Sequence, residues 1–426
     1  MEKAWIVAVD MGYGHQRAAF ALKGIAQGGE VISANNYLDI PDQDRSVWEN
    51  TRDFYDFISR FKKVPILGKP IFGLMDKIQE IKPLYPKKRS LTPPTLQLKT
   101  IYRLMEKKDW GRHLIEKLNQ NPIPLIATFS IPAFMAEHWK YKGPIYLLVT
   151  DSDIARTWVS SKPRETRIKY LVPSQIVAER LGQYGVPEKN IIYTGFPLPE
   201  ELTNMDTVKK DLKKRLVRLD PKGEYVKKYT SLVKKYLGSL PSKVDGPPTI
   251  TFAIGGAGAQ QELGQQIIEA LVQPLKEHKL KLIMAAGTHM DAVSRFSEVA
   301  RKLDLSRKEV EIMACADKDG YFKEFADVLH ETDVLWTKPS EVSFYAALGI
   351  PLLLSPPIGS QEVRNSDWLL QVGSAVNQLN PKYAAEWIID FIDKGLFAEA
   401  ALQGFVEMER GGVANITKAV LRNRTS

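Results

Sequence analysis

The chain has 426 residues, which at roughly 150 residues per domain argues for two or three domains. With 44% hydrophobic and 26% charged residues it reads as an ordinary globular protein, and a single cysteine, Cys315, excludes both an internal disulfide framework and a cysteine-cluster metal site. The net charge of +9 is uneven: residues 60–108 hold 13 Lys/Arg against 3 Asp/Glu, residues 208–243 hold 12 against 3, and the remainder is mildly acidic.

Short apolar runs alternate with amphipathic stretches, the pattern of a parallel α/β sheet. In the first half, strands are predicted at 5–9, 31–34, 125–129, 145–149, 168–172 and 191–194, with helices at 16–25, 132–139 and 175–184 between them. The breaker Gly195-Phe196-Pro197-Leu198-Pro199 closes this series. Two helices follow over 208–237, the first on Val208, Leu212, Leu216 and Leu219, the second on Tyr225, Tyr229, Leu232 and Tyr236. After Gly246-Pro247-Pro248 a second series begins, with strands at 249–254, 281–285, 310–313, 334–337 and 351–354 and helices at 262–276, 321–329, 342–348 and 382–391. The stretch from Leu396 is mostly helical. Domains are therefore expected at 1–199 and 246–395, with a basic helical insert at 200–245 and C-terminal helices at 396–426, for which packing back on the first domain is one option. The residues before Gly12 are too short for a signal peptide, and no run approaches the roughly 18 apolar residues of a membrane span. The lone thiol fits a reducing compartment.

Three constellations sit where such sheets bind ligands, at the carboxyl ends of strands. Gly12-Tyr13-Gly14-His15-Gln16-Arg17-Ala18-Ala19 follows the first strand and opens a helix. Its glycines permit close backbone approach and its helix start favours negative charge. It lacks the third glycine of a dinucleotide fingerprint. His15 there suits a general base near neutral pH; a histidine capping or packing a loop has the same local sequence. Ile254-Gly255-Gly256-Ala257-Gly258-Ala259 follows the first strand of the second series, a place for a diphosphate on backbone N–H groups, or for a plain tight turn. The block Asp333-Val334-Leu335-Trp336-Thr337-Lys338-Pro339-Ser340-Glu341 leads through Gly349-Ile350-Pro351 to a polar loop with Gln361, Glu362 and Asn365. Such groups suit sugar hydroxyls; singly, each reads equally well as a solvated loop residue.

Taken together these blocks resemble the GT-B nucleotide-sugar glycosyltransferases acting on lipid acceptors. The group they resemble most is the monogalactosyldiacylglycerol synthases and processive diacylglycerol glucosyltransferases; the peptidoglycan N-acetylglucosaminyltransferase is a more distant likeness. The family's G-x-G-H-x-x-A-A loop is matched by Gly12 to Ala19, its T-D block by Thr150-Asp151, and its V-P-S by Val172-Pro173-Ser174. Its G-x-P closing the first domain is matched by Gly195-Phe196-Pro197. Its D-x-x-x-T-K-P block corresponds to Asp333–Pro339, its second G-x-P to Gly349–Pro351, and its P-x-x-G-Q-E-x-x-N to Pro356 through Asn365 with Ser360 as an extra residue.

The resemblance implies a GT-B architecture, two Rossmann-like parallel-sheet domains facing a cleft. It implies transfer of a sugar from a nucleotide-diphosphate sugar, in particular a UDP-sugar, to a lipid hydroxyl at the membrane surface. In that scheme His15 is the base or the acceptor-orienting group, with Asp151 a candidate for supporting it, and Gly12 and Gly14 shape the acceptor-side loop. Gly255, Gly256 and Gly258 hold the diphosphate, Lys338, Glu341 and Asn365 belong to the donor site, and Gln361 and Glu362 meet the sugar hydroxyls. No metal or other cofactor is expected: the six histidines are scattered, and Asp151-Ser152-Asp153 falls within the T-D block. The expected setting is cytoplasmic, peripheral on the inner face of the membrane.

The sequence also departs from the family. Phe344 stands where the family has an acid for the ribose hydroxyls, with Glu341 one turn earlier, and Ala155 stands where it has a histidine before Trp158. A non-catalytic nucleotide-sugar- or sugar-binding relative is therefore the second reading, and a nucleotide-sugar epimerase the third. The basic segments bear on partners. Residues 54–75 mix aromatic and aliphatic residues with Arg60, Lys62, Lys63 and Lys69, as binding to an anionic membrane surface requires; helices over a satellite core would share that pattern. Residues 208–243 suit the same surface, a nucleic acid or simply water. Nucleic acid ranks below it, because no nucleic-acid-binding signature accompanies the charge.

Overall fold

The computed structural model describes residues 2–50, 81–255, 258, 260–357 and 359–421. The aromatic and basic stretch 54–75 therefore lies outside the described residues, as does most of the 60–108 segment's first half. The chain forms two compact units: residues 1–197 with 359–364 and 411–426, and residues 198–358 with 365–410.

The first unit is built on a six-stranded parallel sheet: β1 (Ala4–Ala8), β2 (Ala26–Ser33), β3 (Leu125–Ala127), β4 (Ile145–Leu148), β5 (Lys169–Val172) and β6 (Ile191–Tyr193), in the order β2-β1-β3-β4-β5-β6. β1, β3 and β4 are apolar throughout because helices cover both faces of a parallel sheet. The helices Leu96–Lys108, Arg112–Leu118, Ser130–His138 and Gln175–Gln183 supply that cover, burying Leu98, Met105, Leu114, Phe134, Val177 and Leu181 against the sheet core. So the described part of the basic 60–108 segment packs its apolar stripe on protein. The pair Asp153–Arg180 is fully buried, with Arg180 Nε and Nη2 2.9 and 2.8 Å from the carboxylate oxygens. Burial pulls the Arg180 guanidinium down, and the bonds from Asp153 more than offset this and hold it above its ordinary range.

The second unit repeats the architecture with β7 (Thr249–Ala253), β8 (Lys281–Gly287), β9 (Val310–Ala314), β10 (Val334–Thr337), β11 (Leu352–Leu354) and β12 (Ala375–Asn377), ordered β12-β11-β10-β7-β8-β9. All pairs are parallel. This is the doubly wound Rossmann order, with its reversal point at β7 and β10. In the first unit the reversal lies at β1 and β3. The two six-stranded parallel sheets with flanking helices are the pair of Rossmann-like folds that GT-B proteins combine.

Several elements depart from the sequence reading. β12 was not expected, the helices Leu96–Lys108, Arg112–Leu118 and Met290–Lys302 fill gaps left empty, and the polar loop expected to carry Gln361, Glu362 and Asn365 is instead the helix Ser360–Val372. The basic stretch after residue 200 is three helices of the second unit, Met205–Leu219, Glu224–Lys228 and Thr230–Leu237. Its second buried line runs through Tyr225, Val233 and Leu237 rather than Leu232 and Tyr236, because the chain breaks helix at Tyr229. Among the described residues no helix is long and apolar enough to cross a membrane.

Candidate functional site

In the first unit the reversal point places the loops after β1 and β3 side by side, since Val7 pairs with Ala127. Gly12, with φ of +89°, turns the chain from β1 into the helix Tyr13–Ala21; a conformation of that kind suits glycine, and a Cβ there would meet open space. No side chain caps this helix, and its first turn carries no acid, so its N–H groups favour an anion or a polarised oxygen.

His15 lies on that first turn, half-buried among residues from the next two loops. Its ring centroid is 4.7 Å from Phe129 and 5.7 Å from Trp158. Its Nδ1 is 3.2 Å from Thr150 Oγ1, at the end of β4. With Nδ1–H donating to Thr150, Nε2 becomes the basic nitrogen. Asp151 follows, and its Oδ2 accepts a hydrogen bond from Gln361 Nε2. Residues 359–364 belong to this unit; Arg364 donates to the Ile81 carbonyl at 3.0 Å. Asp10, at the end of β1, accepts from Gln16 Nε2 at 2.7 Å while its own N–H donates to Asn35 at 2.8 Å. His15, Asp151 and Gln361 thus fall within one unit, with Gly12 and Gly14 at its helix start. Asp153 is committed to Arg180. Sequence reasoning passed over Phe129 and Thr150 as neighbours of His15; the signal available was their shared position at strand ends.

In the second unit the same logic joins the loops after β7 and β10, because Ala253 pairs with Thr337. Gly255 and Lys338 become neighbours: a Cβ on Gly255 would sit 2.6 Å from Lys338 Cε, so a side chain there would push the end of the lysine aside. Gly258, at φ +63°, bends the loop back, its N–H donating to the Gly255 carbonyl at 2.8 Å. A Cβ on Gly258 would meet His289 Nδ1 at 3.1 Å. The helix Gln261–Ala270 starts here. Gln260 accepts from Ser355 Oγ at 3.0 Å, and Gln261 donates to Asp291 at 2.7 Å. A lysine, an imidazole and the start of a helix around a glycine turn form a cradle suited to a diphosphate. His289 was missed in the sequence. It ends the loop after β8 and precedes the unexpected helix Met290–Lys302.

Asn365 is buried and donates from Nδ2 to the Pro339 carbonyl at 3.3 Å, tying the helix Ser360–Val372 to the loop that carries Lys338. Glu362 sits in the first turn of that helix. Gly256 and the Glu341 side chain lie outside the described residues. Asp333, which opens the T-K-P block, is a buried structural acid. It accepts from the Thr249 N–H at 2.9 Å and pairs with Arg218 at 3.3 Å; burial pushes its carboxyl up against the pull of Arg215 and Arg218. Phe344 is buried, its ring 5.3 Å from that of Trp368. Among the described residues no three His, Cys, Asp or Glu side chains group as metal ligands.

A family model described as a domain of unknown function, DUF6938, matches residues 242–329. The processive diacylglycerol beta-glucosyltransferase of Bacillus subtilis (strain 168) is 23% identical over 236 residues, 55% of this chain and 50% of the relative. The enzyme of the same name from Bacillus cereus (strain B4264) is 24% identical over 275 residues, 63% of this chain and 60% of the relative. The matched stretches thus span little more than half of these relatives. Among solved structures, the UDP-GlcNAc 2-epimerase from Neisseria meningitidis bound to UDP-GlcNAc aligns over 99% of this chain and 100% of its own, at 10% identity and a TM-score of 0.48.

Proposed function

We propose that this protein is a glycosyltransferase that moves a sugar from a nucleotide-diphosphate sugar, a UDP-sugar in the first instance, to a hydroxyl of a lipid acceptor. The observation that carries the reading is His15, seated on the first turn of an uncapped helix and oriented by Thr150. The likeness to diacylglycerol glucosyltransferases supports the substrate class. In the proposed step the acceptor O–H gives its proton to His15 Nε2 as the oxygen bonds to the sugar's anomeric carbon. The bond from that carbon to the diphosphate oxygen breaks, and the nucleoside diphosphate leaves with the electron pair. The charge that develops on it is assigned to Lys338 and to the glycine turn beside it at Gly255. Gln361 and Glu362 are assigned to the sugar hydroxyls, and Asp151 holds Gln361 in place. The reaction is assigned to a peripheral protein on the cytoplasmic face of a membrane.

Removal of a general base costs on the order of a hundredfold to ten-thousandfold in rate. A His15→Ala variant with an unchanged melting curve is expected to lose turnover on that scale in a UDP-sugar transfer assay on diacylglycerol vesicles. Unchanged transfer sinks the assignment. One observation favours a second reading, a binding protein without turnover: buried Phe344 packs on Trp368 where the family carries its ribose acid. A UDP-sugar that raises the melting temperature with neither transfer nor donor hydrolysis selects that reading.

A further inference from the structure

The helix Met205–Leu219 buries Val208, Leu212, Leu216 and Leu219 on one stripe and carries Lys209, Lys210, Lys213 and Lys214 beside it. These lysines sit at i, i+1, i+4 and i+5, so each has another lysine one turn away, an arrangement that opposes the helix. With Arg218 and Lys243 they line a concave pocket of about 750 Å³, closed on its other side by residues 239–245. Six cations meet two carboxylates there, Asp206 and Asp245. None of the five lysines is ion-paired among the described residues.

The frame that holds them is fixed. Arg218 donates from Nη2 to the Asp245 carbonyl at 2.8 Å and pairs through Nη1 with buried Asp333, tying the loop's end to the helix. Arg215, fully buried, donates to the carbonyls of Thr332 at 2.9 Å and Gly349 at 2.9 Å. The helix therefore has no freedom to rotate its lysines apart. A preformed array of like charges lowers its self-repulsion by taking up an anion. Lysine amines suit phosphate oxygens as point charges. The rest of the lining includes Leu240, Pro241 and Val244 and no aromatic residue. Apolar side chains beside cations match the boundary between phospholipid headgroups and acyl chains. The absence of aromatics from the lining removes the stacking surface that single-stranded nucleic acids use.

We propose that this pocket binds the phosphate headgroup of an anionic phospholipid and so holds the second unit on the membrane surface. It shares no residue with the glycine turn at Gly255 and Lys338. It rests on the lipid-directed reading above only for the choice of a membrane as the phosphate's source.

The test uses the full chain in vesicle co-sedimentation, with phosphatidylcholine alone and with added phosphatidylglycerol. The quadruple variant Lys209→Gln/Lys210→Gln/Lys213→Gln/Lys214→Gln is compared with a charge-matched control on the neighbouring helices, Lys227→Gln/Lys228→Gln/Lys234→Gln/Lys235→Gln. Loss of four cations at the surface predicts at least a roughly tenfold fall in partitioning onto phosphatidylglycerol vesicles for the pocket variant, and a clearly smaller one for the control. Lys210→Glu/Lys214→Glu, both exposed, provides a second pocket variant if the first melts early. Equal loss in both quadruple variants overturns the pocket, as does binding that ignores phosphatidylglycerol. Tripolyphosphate binding by calorimetry that disappears in the pocket variant while vesicle binding survives assigns a soluble anion and overturns the membrane source. Homopolymeric RNA lost on the same pattern overturns it in favour of nucleic acid. A parallel melting assay with UDP-sugars separates the two readings: donor stabilisation with no vesicle effect fails the pocket alone, and a pocket-dependent vesicle effect without donor stabilisation supports the pocket and fails the transferase.

Discussion

Thr150 Oγ1 is the polar partner at 3.2 Å from His15 Nδ1, and a Thr150→Val change removes it at nearly constant shape. The imidazole then loses the hydroxyl that orients it. In the transfer assay we expect kcat to fall by roughly tenfold with KM little changed; an unchanged kcat removes Thr150 from the mechanism. Cys315 gives a cleaner residue-level test, because it is the chain's single thiol. Burial, and then the hydrogen bond to Glu324 at 2.8 Å, push its pKa up to about 12. Alkylation, which needs the thiolate, should therefore be slow at pH 8–9 and quicken only as pH approaches about 12. Glu324→Gln should speed it at fixed pH while burial keeps it slower than a free thiol. The same shift carries a stability sign: a thiol raised above its unfolded value of 9.0 favours the fold below that pH, and this contribution is lost as pH rises through about 12. At this scale the sequence exposed His15, because a histidine in a glycine turn after a strand has few other uses. It hid His289, because nothing local ties a residue after β8 to a turn after β7.

Gly349 shows how an element is locked in place. It sits at φ +70°, and a Cβ there would lie 2.8 Å from Leu212 Cδ1 on the helix Met205–Leu219. Gly349→Ala adds left-handed strain to overpacking, together about 2–4 kcal/mol, readable as a shift in the urea midpoint. Leu212→Ala in the same chain should return the overpacking share, so the pair is expected to be non-additive; full additivity would mean that the helix simply moves away. The helix itself was legible from Val208, Leu212, Leu216 and Leu219 at i, i+4, i+8 and i+11. Met290–Lys302 was not, since two of its four buried positions, Ala292 and Ala300, are alanines that dilute the apolar pattern. β12 is Ala-Val-Asn, three residues with one strongly apolar side chain, and it exists because β11 offers an edge: Leu353 pairs with Val376. Pairing of that kind is a tertiary fact that no local window contains.

Across the whole molecule the chain passes from one unit to the other after residues 197, 358, 364 and 410. The alternation of strand and helix announces two Rossmann-like sheets, but periodicity marks a buried face without saying which core receives it. The helix Gly412–Leu421 joins the first unit, burying Val413, Ile416, Val420 and Leu421, and Asn415 Nδ2 donates to the Thr194 carbonyl at 3.0 Å. Gly412 lies so close to the Phe196 carbonyl that a side chain there would collide with backbone. At about 1.5–3 kcal/mol per buried aliphatic side chain, these residues hold a share comparable with the 5–15 kcal/mol that keeps a domain folded. Deleting residues 411–426 should unfold the first unit, seen as loss of one transition in a denaturation curve; an unchanged curve would show that the helix is only a cover.

That return of the chain has a consequence for synthesis on the ribosome. Residues 198–410, the span that separates most of the first unit from its last helix, take on the order of ten to forty seconds to translate at ~5–20 residues per second. Throughout that interval the groove beside Phe196 stands open on the nascent chain, with its apolar wall exposed to chaperones and to neighbouring polysomes. The first unit to be made is thus the last to be finished.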